Sequence, residues 1–226
     1  LRRIEVPGAV HHTAVSPDGR FAVATHPSGD GISVIDLETF TMTAWIPAGS
    51  MPNYAVFGAD SGTVYVSNAG NGTVSEVDLA RGIVRRNLAV GLAPEHLVLD
   101  SESGTLYVAD SDAGAVFELV LESGETRRSF QIGGEIHGMD LTDDRKKLIV
   151  AGRGEDKLAM IELAGNTVTT VPLAPEPYHL TIVPGTGRLF VSSRAEPKIW
   201  IVDASELTMI GEFAVKSEGH QMVTMN

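Results

Sequence analysis

The sequence predicts an all-β propeller built from four-stranded antiparallel blades, and three observations carry that expectation. His12, Tyr54, His96, His137, His179 and His220 recur at intervals of 42, 42, 41, 42 and 41 residues, each opening a short apolar run. Every interval holds four apolar or alternating runs rich in Val, Ile, Leu, Tyr and Phe, the period-two pattern of half-buried strands. Gly, Asp, Ser, Asn and Pro separate the runs and helical periodicity is absent, so tight turns join strand to strand. A fixed repeat of about 40 to 45 residues with several short strands is the mark of a propeller.

The repeats fall at residues 12–53, 54–95, 96–136, 137–178 and 179–219 of the 226-residue chain and leave no room for a linker, so one domain is expected. In the first repeat HTAVSPDGRFAVAT supplies two strands and GISVIDLETFTMTAWIPAG two more. Between first and second strands stand Ser16-Pro17-Asp18-Gly19, Asp60-Ser61-Gly62, Glu102-Ser103-Gly104 and Pro184-Gly185-Thr186-Gly187, where glycine meets the positive φ of a tight hairpin. The fourth repeat has Asp143-Asp144-Arg145-Lys146 instead, read as a longer polar turn. At the ends, residues 1–8 match a fourth strand and residues 217–226 a first strand. The expectation is five complete blades plus terminal strands of a sixth, or part of a seven-bladed ring.

The segments SPDGRFAV and TVYVSN, with Tyr65-Val66-Ser67-Asn68 and Tyr107-Val108-Ala109-Asp110, resemble the YVTN-repeat β-propellers across essentially the whole chain. That family resembles in turn the propeller of nitrite reductases carrying a d1-type haem, and the inner-strand histidines look like those of metal-bearing propellers such as nitrous oxide reductase. The resemblance implies a propeller fold and a periplasmic or extracellular location. WD repeats fit less well, because His opens the strand directly and no Trp-Asp pair ends a repeat.

In a propeller the first strand is innermost, so the recurring position predicts a ring of side chains at one mouth of a central channel. Two readings stand. His12, His96, His137, His179 and His220 ligate a transition metal through neutral nitrogens, which suits Cu, Zn or Fe; or they are channel lining copied from blade to blade. Tyr54 interrupts the ring either as a ligand or as a packing variant. Loops between second and third strands rim the same mouth. There Arg153 and Arg194 occupy equivalent positions, and a guanidinium pair suits a carboxylate or haem propionate. His26 joins the rim, and His11 points outward as a strand neighbour of His12.

A net charge of −12, with a pI near 4.9, argues against nucleic acid and for cationic partners. The longest apolar runs are strand-length, so no membrane span is expected, and no signal peptide is visible. With no cysteine there is no thiol nucleophile and no C-x-x-C-H attachment of a c-type haem; a non-covalent haem stays open. G-x-S-x-G and phosphate-cradling loops are absent too. Three function classes remain: a propeller binding a metal ion or small ligand at the histidine position, an oxidoreductase carrying copper, iron or d1-type haem there, and a protein-interaction scaffold. Catalytic residues are not identifiable.

Overall fold

The computed structural model describes residues 3–220 and 222. Twenty strands form five four-stranded antiparallel sheets, each a meander of consecutive strands. The first sheet holds β1 (Thr13–Val15), β2 (Phe21–His26), β3 (Gly31–Asp36) and β4 (Thr41–Pro47). The second holds β5 (Pro52–Phe57), β6 (Thr63–Asn68), β7 (Thr73–Asp78) and β8 (Ile83–Ala89). The third consists of β9 (Pro94–Asp100), β10 (Thr105–Asp110), β11 (Ala115–Val120) and β12 (Glu125–Gln131). The fourth is β13 (Met139–Leu141), β14 (Lys147–Gly152), β15 (Lys157–Glu162) and β16 (Thr167–Pro172). The fifth is β17 (Pro177–Val183), β18 (Arg188–Ser193), β19 (Lys198–Asp203) and β20 (Met209–Ala214). Among the described residues helix is confined to two 3₁₀ turns, Pro27–Gly29 and Arg153–Glu155, which follow the second strand in sheets one and four.

Chain contacts divide the protein into two compact units, residues 1–108 with 117–128 and residues 109–116 with 129–226; the third sheet contributes to both. In the first unit Val23, Ile32, Val34 and Ile46 of the first sheet pack on Ala55, Phe57, Val64, Val66 and Val77 of the second. The opposite face of the second sheet sends Tyr65, Val74 and Leu88 against Leu97, Leu106, Val108 and Leu119. In the second unit Ile149, Ala151, Leu158 and Met160 meet Leu180, Leu189, Val191, Trp200 and Val202. Successive residues of one strand thus face different neighbours, and both faces of a middle strand are apolar because both are buried. Packing is close enough to dictate glycine at Gly31, where a Cβ would come within 2.4 Å of the Trp45 indole.

The turns correct one expectation. The fourth-repeat turn is no longer than that of the first. Gly19 N–H donates to Ser16 O (2.8 Å) and Arg145 N–H to Thr142 O (2.7 Å), and Thr142 Oγ1 bonds Asp144 as Ser16 Oγ bonds Asp18. Arg145 holds φ at 56° where Gly19 has 71°, so an arginine occupies a left-handed position that glycine adopts without strain. In the second repeat Ser61, not Gly62, takes the positive φ.

At the termini, described residues 3–8 and 217–220 form no strand. Ile4 and Val6 nonetheless pack against Ala22, Ala24 and Ile35, covering the first sheet where the fourth strand of another blade is expected. Residues 1, 2, 221 and 223–226 of those two matches lie outside the described residues.

Candidate functional site

The recurring position is shaped by a local irregularity of the ladder. In the second sheet Pro52 pairs with Asn68 and Ala55 with Val66, so Asn53 and Tyr54 together oppose Ser67. In the fifth, Tyr178 and His179 likewise oppose Ser192. Such a bulge re-aims a side chain and leaves a backbone N–H without a ladder acceptor. A hydroxyl supplies it: Tyr54 N–H donates to Ser67 Oγ (3.0 Å), His179 N–H to Ser192 Oγ (3.1 Å) and His12 N–H to Thr25 Oγ1 (3.0 Å). Thr25 and Ser67 pass their own protons to the first strand of the following sheet, at Asn53 O (2.8 Å) and Glu95 O (2.5 Å). These hydroxyls stand fifth in the second strand, the place of serine in Tyr65-Val66-Ser67-Asn68. Ala109 and Ala151 occupy it in the other two sheets.

In the first unit the position gives a row of three rings. His12 stacks on Tyr54 with centroids 3.6 Å apart, and Tyr54 lies 4.0 Å from His96. His12 Nδ1 accepts from Ala55 N–H (3.3 Å), which leaves Nε2 carrying the proton of a neutral imidazole. His12 and His96 are buried and Tyr54 is half-buried. His11 does not simply point outward: its Nδ1 lies 3.2 Å from Asn53 O of the second sheet.

The second unit gathers more. His137 stacks on Tyr178 (3.9 Å) and meets His179 edge-on (4.9 Å); His220 lies 5.6 Å from both Tyr178 and His179. Arg153 and Arg194 both reach the Tyr178 ring, with guanidinium carbons 5.8 and 5.4 Å from its centroid. The guanidiniums are held by carboxylates that precede the recurring position. Arg153 binds Glu135 (2.8 Å) and Glu176 (3.1 Å), and Arg194 binds Glu218 (3.1 Å). Tyr178 was missed in the sequence because it stands one residue ahead of the repeat phase; the signal was Pro177-Tyr178-His179 beside Pro52-Asn53-Tyr54.

His26 stands apart from these clusters. It is the last residue of β2 and 1% exposed, with Nε2 on Ser33 Oγ (2.8 Å) and Nδ1 on Ala9 O (3.1 Å). Asn68 holds the same place in the second sheet and bonds Ser75 Oγ (2.9 Å). His26 is thus a buried bridge from Ser33 to Ala9 O at the end of β2. Burial lowers its pKa, which the bond to Ala9 O opposes. Asp140, three residues beyond His137, has its pKa raised by burial, although Ile182 N–H (2.8 Å) and Leu141 N–H (2.8 Å) bond the carboxylate.

The donor set suits a transition metal, being imidazoles, buried at His137 and His179 and half-buried at His220, with no competing thiol. The spacing suits it as well. An ion about 2.1 Å from each imidazole nitrogen sits roughly 3 Å from each ring centre, so two tetrahedral ligands have centroids about 5 Å apart, against 4.9 Å for His137 and His179 and 5.6 Å for His179 and His220. His137 and His179 meet edge-on and His179 and His220 are tilted, while His137 stacks on Tyr178. Among the described residues no group of three or more His, Cys, Asp or Glu side chains is arranged to hold a metal ion.

The fold and its recurring position define a repeat β-propeller with an imidazole- and tyrosine-bearing first strand. The chain is similar to a solved structure of Kuenenia stuttgartiensis hydrazine synthase, with a TM-score of 0.60 over 91% of this chain and 86% of that one. At 17% identity the likeness shows the fold alone. No family model and no curated protein matches the chain. No helix among the described residues is long and apolar enough to cross a membrane.

Proposed function

We propose that the chain is a YVTN-type propeller that binds a divalent transition-metal ion, or a cofactor bearing one, through the imidazoles of its recurring position. The observation that carries this reading is the second-unit cluster, where His137, His179 and His220 lie around Tyr178, the ring centres of His137 and His179 4.9 Å apart and those of His179 and His220 5.6 Å apart. His12 and His96 provide the same donor type around Tyr54. Neutral imidazole is the ligating form, so affinity falls on acidification. Arg153 and Arg194 hold the Tyr178 ring, and a carboxylate of a haem-like cofactor reaches them by exchanging with Glu176 and Glu218. On the family resemblance we place the protein in the periplasm or outside the cell.

Metal analysis and an absorption spectrum of protein purified without a histidine tag test the proposal. Stoichiometric Cu, Zn or Fe is expected, and His179→Ala with His220→Ala should remove it while the far-UV spectrum stays that of a β-protein. A visible absorption band would identify the redox reading, an oxidoreductase carrying copper, iron or a d1-type haem at this site. Protein that neither contains nor takes up any of these metals would sink both, leaving the interaction scaffold.

A further inference from the structure

Leucine opens the turn between third and fourth strands in four of the five sheets. Leu37, Leu79, Leu121 and Leu163 donate their backbone N–H to the preceding hairpin, at Arg20 O, Gly62 O, Gly104 O and Lys146 O, and Ala204 makes the same bond to Gly187 O (2.9 Å). The leucine side chains are used in packing. Leu79 lies against the core of the first and second sheets and Leu121 against that of the second and third, while Leu163 is buried. In the fifth sheet the leucine of the turn stands last instead of first, as Leu207, and enters the core of the fourth and fifth sheets from there. Ala204 thus puts a methyl group where the other sheets have a leucine side chain.

A cleft of about 290 Å³ opens beside Ala204, between the fourth and fifth sheets and at the end of β13 away from His137. Ile182 and Ala204, both buried, line its inner side. Thr142, Asp143, Asp144 and Lys147 line the rest, so one turn brings charges of both signs to the same opening. Thr142 Oγ1 fixes that turn, bonding Asp144 Oδ1 (2.7 Å) and lying 3.1 Å from both N and O of Lys147. Its bond also holds the Asp144 carboxyl below the usual range, which keeps it ionised. Asp143 accepts from Gly185 N–H through Oδ2 (2.9 Å), so each carboxylate has a second oxygen outside these bonds.

From this cleft we propose a binding site for a free aliphatic α-amino acid of the leucine class. Three matches select that ligand. Its branched side chain takes the space beside Ile182 and Ala204 that a leucine of the chain fills elsewhere. Its ammonium meets Asp143 and Asp144, and its carboxylate meets Lys147, whose Nζ lies 3.4 Å from Glu162 and exchanges that partly exposed partner for the ligand. A zwitterion answers both signs of charge, whereas an alkylamine leaves Lys147 without a counter-charge and a fatty acid faces two aspartates. The volume stands at the lower end for small-molecule sites, which suits a single amino acid.

Isothermal titration calorimetry with L-leucine tests the site. Saturable one-to-one binding is expected, and isoamylamine, which keeps the branched chain and the ammonium but lacks the carboxylate, should bind at least tenfold more weakly. Ala204→Leu restores the residue of the other four sheets, so it should abolish binding while raising the melting temperature, because it fills the cleft with a side chain the turn already accepts elsewhere. Lys147→Met is an independent variant at a half-buried position. It should weaken L-leucine at least tenfold and leave isoamylamine bound no more weakly than before. Absence of saturable L-leucine binding, binding unaltered by Ala204→Leu or by Lys147→Met, or isoamylamine bound as tightly as L-leucine would each overturn the proposal.

Discussion

The two units present the same repeat position with different chemistry. In the first unit His12, Tyr54 and His96 form a row in which a tyrosine separates the imidazoles. In the second, Tyr178 is displaced by one residue, so that His137, His179 and His220 all lie around a single phenol. The loops differ in step: Pro27 and Ala69 stand in the first unit where Arg153 and Arg194 stand in the second. A repeat therefore conserves where a side chain is placed while a one-residue offset decides what it touches, because the bulge presents two adjacent residues to the same region. The second unit is the richer in donors, in fixed positive charge and in compensating carboxylates.

The strongest way to break this contrast is truncation of its centre. Tyr178 is 7% exposed and touches three imidazoles and two guanidiniums, so Tyr178→Ala should destabilise by about 3–5 kcal/mol in urea unfolding, in the range of buried aromatic deletions. Tyr54→Ala, at a half-buried ring, should cost clearly less. Equal losses would mean that the arginines and the third histidine add nothing to the second cluster.

Next comes the hydroxyl beneath the bulge. Ser67→Ala removes the hydroxyl that bonds both the Tyr54 amide and the Glu95 carbonyl and should cost about 1–3 kcal/mol. Ser192→Ala should cost less, since among the described residues Ser192 bonds His179 alone, with Oγ 3.1 Å from its N and 3.3 Å from its O.

Acid sensitivity sharpens the comparison further. The folded pKa of His26 lies below the ordinary 6.5, so the unfolded chain binds this proton more readily. Its contribution to stability is complete above pH 6.5 and declines as pH falls below that value. His26→Asn, which installs the residue found at the equivalent Asn68, should flatten the melting temperature between neutral and mildly acid pH. An unchanged pH profile would show that the Ala9–His26–Ser33 bridge tolerates a charged ring. Asp140 acts in the opposite sense: its raised pKa means that stability declines as pH rises from the ordinary 3.8 through the folded value, so Asp140→Asn should lessen that decline.

The smallest expected effect lies at the turns. Arg145→Gly relieves a left-handed non-glycine residue, and Gly19→Ala imposes the same strain on the first turn. The pair should move stability in opposite directions by about 0.5–1 kcal/mol each.

Strand order and turns were legible because their causes are local. Alternating Val, Ile and Leu two residues apart, and Ser-Pro-Asp-Gly or Glu-Ser-Gly between them, specify hairpins whatever lies alongside. The turn at Arg145 was misread as longer because glycine was taken as its signal, whereas Thr142 and Asp144 hold the same bend by side-chain bonds. That His26 turns to Ser33 depends on a partner seven residues away across the ladder, which no local pattern announces.

By itself the sequence determined the repeat, the five sheets and which residues share a phase, since a period-two pattern and a 41- or 42-residue spacing are written along the chain. Only the tertiary structure decided that Tyr178 joins the histidines and that Arg153 and Arg194 close on its ring. It also decided that those guanidiniums are neutralised by Glu135, Glu176 and Glu218. Those outcomes depend on bulges, rotamers and ion pairs between residues 18 to 24 positions apart, and ring contacts across a full repeat. A one-dimensional pattern fixes which face of a strand a side chain occupies, but not the neighbour it meets there.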